Sequence, residues 1–180
     1  MPEPATVWKR FLEERRKQKD EYFRTDMDSP IPEGERKTFP GLNYYPIEEK
    51  LRFAVRLAPV DPPTPLSFGV SQGPPRPMLK VGYFDFVVDG APQRLWAYRS
   101  ADPHGGGSLF VPFRDATSGK ETYGAGRYLD LEATEEGTYT LDFNEAYNPY
   151  CIYSDCYSCP LPPMENWLKV PLRAGEKTYP

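Results

Sequence analysis

The chain has 180 residues, and its 22 Lys and Arg against 26 Asp and Glu give a net charge of -4. This balance argues against a nucleic-acid partner, because proteins that bind the phosphate backbone carry an excess of positive charge. The charged N-terminus lacks the apolar run of a signal peptide, and no stretch approaches the length of a membrane-spanning helix, so we expect a cytoplasmic protein without a membrane partner.

Apolar and aromatic residues recur at near-helical spacing between residues 6 and 24 and predict an N-terminal α-helix, with Thr6 as its N-cap. The middle of this helix, residues 15–19, is almost entirely charged. We therefore predict a helix that packs by its two ends and has a solvated middle. Because the composition does not change again, we expect an N-terminal helix segment, 1–28, followed by a single β domain, 29–180.

From residue 51 the apolar residues follow a period of two, which is typical of strands with one buried face. Asp89-Gly90, between two apolar runs, predicts a tight β-hairpin. The predicted strands cover 51–57, 66–71, 79–88, 93–99, 108–113, 126–132, 137–143 and 167–172. We predict a mainly β fold, an antiparallel β-sandwich or barrel of about seven to nine short strands with an N-terminal α-helix.

The last four predicted strands are consistent with an up-and-down meander. In that topology loops 114–125 and 144–166 leave the sheet at the same end, which we call the mouth. The Gly-rich loop 101–107 would then lie at the opposite end, one strand length or roughly 20 Å away.

Two motifs resemble parts of a lipase-type hydrolase: "GVSQG" at 69–73 and "HGGG" at 104–107. Prolines follow the first motif, where a nucleophile elbow requires a helix. The single histidine, His104, cannot serve both the oxyanion loop and the catalytic base. We therefore interpret both motifs as ordinary Gly-rich turns.

Cys151, Cys156 and Cys159 have the spacing of the first three ligands of a plant-type iron–sulfur loop, but the fourth cysteine is missing. A zinc site would need His104, which the meander places at the opposite end of the sheet. We predict no metal and no cofactor. The better interpretation is that residues 148–166 form an ordered segment that walls the open end of the core, with the cysteines as buried free thiols. We call it the wall segment.

Polar and aromatic residues are dense on the two mouth loops. Tyrosines, arginines and carboxylates together suit a small polar or anionic ligand. The candidate ligand-binding residues are Arg114, Asp115, Tyr123, Arg127, Asn144, Tyr147 and Asn148. The alternative is structural, because long loops contain many backbone groups that must be hydrogen-bonded, and these residue types commonly supply the bonds.

Two other functions remain open. Glu121 and Asp142 could be the acid and base of a carboxylate-based hydrolase or another small-molecule enzyme, which requires a raised pKa at one of them. A structural or partner-binding module is favoured if the mouth has no cavity and an apolar patch is exposed elsewhere. The sequence predicts neither the ligand nor the oligomeric state.

Four parts of the chain carry a family resemblance: Trp8-Lys9, "GLNYYP" at 41–46, "LFVPFRDATSGKETYGAGRYLDL" at 109–131 and "LDFNEAYNPYCIYSDCYSCPLPPMENWLKVPLRAGEK" at 141–177. They resemble the bacterial domain of unknown function 1684 (DUF1684) family over nearly the whole chain. The resemblance implies no established activity. In the family pattern, cysteines matching Cys151 and Cys159 are usual and Cys156 is a departure, which weakens a three-thiolate metal site further.

Overall fold

The structure is a computed structural model that describes residues 4–179. These residues form one long N-terminal α-helix, α1 (Ala5–Thr25), and eight strands in two antiparallel sheets. The strands are β1 (Arg52–Arg56), β2 (Ala58–Phe68), β3 (Arg76–Val88), β4 (Ala91–Ser100), β5 (Leu109–Phe113), β6 (Arg127–Leu131), β7 (Ala133–Glu135) and β8 (Thr138–Asp142). The 3₁₀ helices cover Glu33–Thr38, Glu49–Leu51, Phe143–Glu145, Tyr150–Ile152 and Met164–Asn166. This confirms the mainly β fold with an N-terminal helix.

The two sheets pack face to face around one apolar core. The larger sheet has the strand order β2-β3-β4-β5-β6, and the smaller has the order β1-β8-β7. Phe84, Val111 and Leu129 of the larger sheet meet Val55 and Leu141 of the smaller sheet in this core. Burying side chains of this size contributes about 1.5–3 kcal/mol each, so the core between the two sheets stabilises the fold strongly.

The larger sheet has a second apolar face, which we call its outer face. Side chains of alternate strand residues point to opposite faces of a sheet. Met78 and Tyr98 are buried on the outer face, with Phe110 packed beside them. This face therefore needs a cover of its own, which the smaller sheet does not provide.

Segment 147–160 covers part of the outer face. At its start, Tyr147 forms a β-bridge with Tyr128 of β6, and at its end Pro160 forms one with Val70, just after β2. The Tyr128 hydroxyl also donates a hydrogen bond to the Pro160 carbonyl. Because β2 and β6 are the two edges of the larger sheet, the segment links both edges across the outer face.

The bounds of α1 confirm the predicted helix at 6–24, whereas its predicted cap is wrong. Pro4 occupies the N-cap position without a side-chain cap bond, and Thr6 lies inside the helix. Proline suits this position because its fixed φ is compatible with helix entry and it has no N–H to satisfy.

The first three residues of the predicted N-terminal segment lie outside the described range. No helix among residues 4–179 combines the length and the apolar character that crossing a membrane requires.

The charged middle of α1 is not a solvated face throughout. Arg16 donates from Nη1 to the carbonyl of Tyr45 at 3.1 Å, and Nζ of Lys19 lies 2.5 Å from a carboxylate oxygen of Glu176. Asp20 accepts a hydrogen bond from the backbone N–H of Leu42. The prediction of a solvated middle is wrong for Arg16 and Lys19, because long charged side chains can reach buried polar groups beside the helix.

Two strand predictions and the meander are also wrong. The strand predicted at 66–71 is β2 in the structure, which begins at Ala58 and ends at Phe68. It includes the proline-rich stretch before residue 66, because an edge strand leaves one row of backbone groups unpaired and so tolerates proline. The segment 167–172 contains no strand and makes one isolated bridge, between Arg114 and Trp167. β6 and β8 belong to different sheets, so the last predicted strands do not form a meander. The Asp89-Gly90 hairpin is confirmed, and both residues have positive φ.

Gly126 sits where the chain has no room for a side chain. Its φ is +98°, and a Cβ there would lie 2.5 Å from the Phe113 carbonyl oxygen. Gly73 also has a positive φ, +86°, but a Cβ added there would have no other atom within 4 Å. We expect Gly126→Ala to lower the free energy of unfolding by about 3 kcal/mol and Gly73→Ala by about 1 kcal/mol, measured by urea denaturation. Equal losses would contradict the crowding at Gly126.

Candidate functional site

The two mouth loops lie side by side, as predicted. The backbone N–H of Arg114 donates to the carbonyl of Asn166 at 3.0 Å, and the Tyr123 hydroxyl lies 3.7 Å from the Cys151 sulfur. The Arg114 guanidinium stacks over the ring of Trp167 at 4.4 Å. The mouth is therefore a closely packed region of the structure.

Arg127 and Asp115 form a buried network that holds the C-terminal segment. The Arg127 side chain is 1% exposed and donates to the carbonyls of Ala174 at 2.5 Å and Leu172 at 2.9 Å. Asp115 accepts from the backbone N–H of Leu172 at 2.7 Å and lies 3.5 Å from Arg127. Burial lowers the pKa of the Arg127 guanidinium, while the Asp115 carboxylate opposes this effect. Both residues are thus committed to contacts within the protein.

Asp142 and Asn144 are occupied in a similar way. Asp142 accepts from the indole N–H of Trp8 at 2.9 Å and from the backbone N–H of Asn144 at 2.9 Å. The Asn144 side-chain oxygen in turn accepts a hydrogen bond from the backbone N–H of Glu48 at 2.8 Å, and its side-chain nitrogen donates to the carbonyl of Glu48 at 2.9 Å. These contacts fasten α1 and the segment before β1 to the end of β8.

Asn148 is buried at the start of the wall segment. Its backbone N–H donates to a carboxylate oxygen of Glu176 at 2.6 Å, and its side chain donates to the carbonyl of Lys177 at 2.9 Å. Glu176 is itself buried and carries the ion pair with Lys19. Asn148 therefore fixes the beginning of segment 147–160 to the C-terminal segment.

The proposed acid–base pair has different surroundings at each carboxylate. Arg173 donates to Glu121 and holds the pKa of this carboxyl below its ordinary value, which is the opposite of what a general acid requires. Glu121 also accepts from the hydroxyl of Tyr45. Asp142 has the helix and loop partners given above, and within residues 4–179 the two carboxylates share no hydrogen-bond partner.

A cavity of about 750 Å³ lies between the outer face of the larger sheet and segment 147–160. We call it the outer-face cavity. Its volume is in the range of pockets that hold small organic ligands. Its charged and aromatic lining residues are Lys19, Arg76, Arg99, Asp130, Phe110, Tyr128, Tyr147, Tyr150 and Tyr157. Of the seven predicted ligand-binding residues, Tyr147 alone lines it; Tyr147 and Asn144 also line a smaller cavity of about 300 Å³ beside α1.

The charged side chains that line the outer-face cavity differ in whether they have hydrogen-bond partners within the protein. Asp130 accepts a hydrogen bond from the Tyr147 hydroxyl, and burial raises the pKa of Tyr147, so this hydroxyl stays protonated as the donor. Arg76 uses one nitrogen to donate to the carbonyl of Ser158 at 3.0 Å. Arg99 is exposed, and no group in the described part of the chain accepts a hydrogen bond from its guanidinium. The cavity therefore offers unused positive charge.

The predicted distance between the Gly-rich loop and the cysteine segment is wrong. Gly105 and Cys159 line the same outer-face cavity. The reason is that segment 147–160 runs back across the sheet, toward the end where loop 101–107 lies. The GVSQG motif is a turn, as predicted: it joins β2 to β3, and the Ser71 hydroxyl accepts from the backbone N–H of Cys159 at 3.0 Å.

All three cysteines are free thiols, but the prediction that they are buried is right for Cys159 alone, since Cys151 is half-buried and Cys156 is exposed. The backbone N–H of Cys151 donates to the sulfur of Cys159 at 3.3 Å, and burial raises the pKa of the Cys159 thiol to about 11. Residues 4–179 contain no group of three or more His, Cys, Asp or Glu side chains placed to hold a metal ion. Cys151 thus contacts Cys159, which lines the outer-face cavity.

Sequence reasoning missed Arg76 and Arg99 as cavity residues. The sequence did contain one signal for their proximity. The Asp89-Gly90 turn fixes the register of the β3–β4 hairpin and brings Met78 opposite Ser100. That register places both arginines at the same end of the hairpin. The position of the covering segment was needed to recognise this end as part of a cavity.

The Arg127 network yields a stability prediction. We expect Arg127→Lys to lower the free energy of unfolding by about 3 kcal/mol, because an ammonium group cannot replace the planar fork that reaches several carbonyls at once. Arg56→Lys, at an exposed position of β1, is the matched control and should change it by less than about 0.5 kcal/mol. Urea denaturation measures both, and equal values would contradict the role of Arg127.

The comparisons with known proteins place the chain in a family. Among curated proteins, none matches this chain. An uncharacterised protein of Haloarcula marismortui, solved by solution NMR, is 39% identical, with a TM-score of 0.74 over 99% of this chain and 98% of that one. The family model "Protein of unknown function (DUF1684)" matches residues 37–177. The chain therefore belongs to the DUF1684 family.

Proposed function

We propose that this protein binds, in the outer-face cavity, a small molecule that combines an anionic group with a flat ring. The observation that carries the proposal is the unused charge of Arg99 beside a wall of tyrosines in a cavity of about 750 Å³. The proposed ligand falls within the small polar or anionic class expected from the sequence, but its proposed site includes Tyr147 and the outer face of the sheet and not the packed mouth.

The anionic group would bind near the end of the β3–β4 hairpin. Arg76 and Arg99 lie there, and the exposed Ser108 lines the same end of the cavity. A guanidinium can bind a carboxylate or a phosphate through two parallel hydrogen bonds, which are about twice as strong as neutral ones. The Asp130 carboxylate keeps its negative charge while it accepts the hydrogen bond from Tyr147, but Arg76 and Arg99 outnumber it in the cavity lining.

The ring would bind against the aromatic part of the cavity. Tyr150 and Tyr157 lie edge to face with their ring centroids 5.3 Å apart, and Phe110 packs edge to face on Tyr128 at 4.8 Å. Such rings are rigid and offer apolar area at low entropic cost. Burial raises the pKa of Tyr150, so its hydroxyl is a neutral donor that tolerates a nearby anion.

The alternatives have weaker support. An enzyme built on Glu121 and Asp142 needs a raised carboxyl pKa, whereas Arg173 lowers that of Glu121. A partner-binding module is favoured by exposed apolar side chains, and Met164 and Trp167 are 76% and 45% exposed. The contacts of Asp115, Arg127 and Asn148 favour a structural role for these three mouth residues.

The test is a calorimetric titration with phenyl phosphate, which carries both required groups. Phenol lacks the anion and inorganic phosphate lacks the ring, so we expect both to bind more weakly. Arg99→Ala should weaken phenyl phosphate binding about tenfold, because it removes a charged hydrogen bond. Arg56→Ala removes the same charge on the smaller sheet and should leave binding unchanged.

Native mass spectrometry of gently purified protein complements the titration, because a retained anionic ligand adds a discrete mass. We expect this mass to be lost in Arg99→Ala. Equal effects of the Arg99 and Arg56 substitutions, or undetectable binding of phenyl phosphate together with no retained ligand, would overturn the proposal.

A further inference from the structure

Cys159, which lines the outer-face cavity, is in direct contact with Cys151, although eight positions separate the two cysteines. The backbone N–H of Cys151 donates to the sulfur of Cys159 at 3.3 Å. Cys151 belongs to the 3₁₀ helix Tyr150–Ile152, and Cys159 is anchored by the Ser71 hydroxyl, which accepts from its N–H. Both sulfur-bearing residues are therefore held in place by separate parts of the fold.

The third cysteine is outside this contact. Cys156 is exposed, and its sulfur accepts a hydrogen bond from the hydroxyl of Ser154 at 3.1 Å. Cys151 is half-buried and Cys159 is buried. The three thiols thus differ in access, and only Cys151 combines access with an adjacent second thiol.

A hydroxyl group completes the arrangement. The Tyr123 oxygen lies 3.7 Å from the Cys151 sulfur. Burial, together with the neighbouring Cys151, raises the pKa of Tyr123 to about 12, so the tyrosine keeps its proton at neutral pH. It can therefore donate a hydrogen bond toward the sulfur or toward a molecule that reacts there.

We propose that Cys151 and Cys159 are a reversible dithiol–disulfide pair whose oxidant is a small hydroperoxide. The Cys151 thiolate attacks the terminal peroxide oxygen, the O–O bond breaks, and the alcohol or water leaves with a proton. Cys151 is then a sulfenic acid. The Cys159 thiol attacks this sulfur, the S–O bond breaks, and a second water leaves. Two thiols are oxidised and one peroxide is reduced, and an external dithiol reverses the step.

The cross-link would change the cavity wall. It joins the 3₁₀ helix Tyr150–Ile152 to the stretch that contains Tyr157 and Cys159, and Tyr150, Tyr157 and Cys159 all line the outer-face cavity. Oxidation therefore fixes two parts of one wall relative to each other. This inference concerns the thiols alone and is independent of the ligand proposal.

The experiment treats the 180-residue chain with equimolar hydrogen peroxide and measures its intact mass and its peptide map. We expect a loss of two hydrogen atoms, a peptide cross-link between Cys151 and Cys159, and reversal by dithiothreitol. A disulfide stabilises a protein by restricting its unfolded chain, and the effect is modest when the closed loop is short. We therefore expect the thermal unfolding midpoint to rise by roughly 5 °C on oxidation.

Cys156→Ser is the matched control and should give the same cross-link. Cys159→Ala, checked for folding by circular dichroism, should instead retain a sulfenic acid at Cys151 that dimedone traps. A cross-link through Cys156, a sulfinic acid at Cys151 in the unsubstituted protein, or no change in mass would each overturn the proposal.

Discussion

The buried guanidinium of Arg127 is the interaction on which the covering segment depends. Arg127 binds the carbonyls of Leu172, Ala174 and Glu176 and so fixes the C-terminal segment against β6. Glu176, held in this way, presents its carboxylate to the backbone N–H of Asn148. The covering segment 147–160 starts at that point, so its path across the outer face begins from a position that Arg127 sets.

The same carboxylate connects the helix to the cavity. Lys19 of α1 pairs with Glu176 at 2.5 Å and lies 5.2 Å from the ring centroid of Tyr147. A buried carboxylate is costly unless it is paired and hydrogen-bonded, and Glu176 has both kinds of partner. Because Lys19 and Tyr147 both line the outer-face cavity, the helix is part of the cavity wall.

The local features of the fold could be predicted from sequence, and its long-range features could not. Alternation located β1, and the Asp89-Gly90 turn located the β3–β4 hairpin, since both signals are carried by neighbouring residues. The β-bulge in β3 breaks such a signal: Lys80 lies opposite Tyr98 but Gly82 lies opposite Ala97, so the inward-facing positions shift by one. The crossing of segment 147–160 depends on contacts far apart in the chain, and no local pattern encodes them.

The candidate site shows why residue type alone is a poor guide to whether a side chain has a structural role or binds a ligand. Arg127 and Arg99 are the same amino acid, and both lie near tyrosines. The carbonyls of the C-terminal segment accept hydrogen bonds from both terminal nitrogens of Arg127, whereas no described group accepts a hydrogen bond from the Arg99 side chain. Arginine has five donors and cannot lose its charge at neutral pH, so its partners must come from the protein, the solvent or a ligand. An arginine that fastens a loop therefore differs from one that is free to bind an anion in whether protein groups accept its hydrogen bonds. This difference can be read only from the three-dimensional structure.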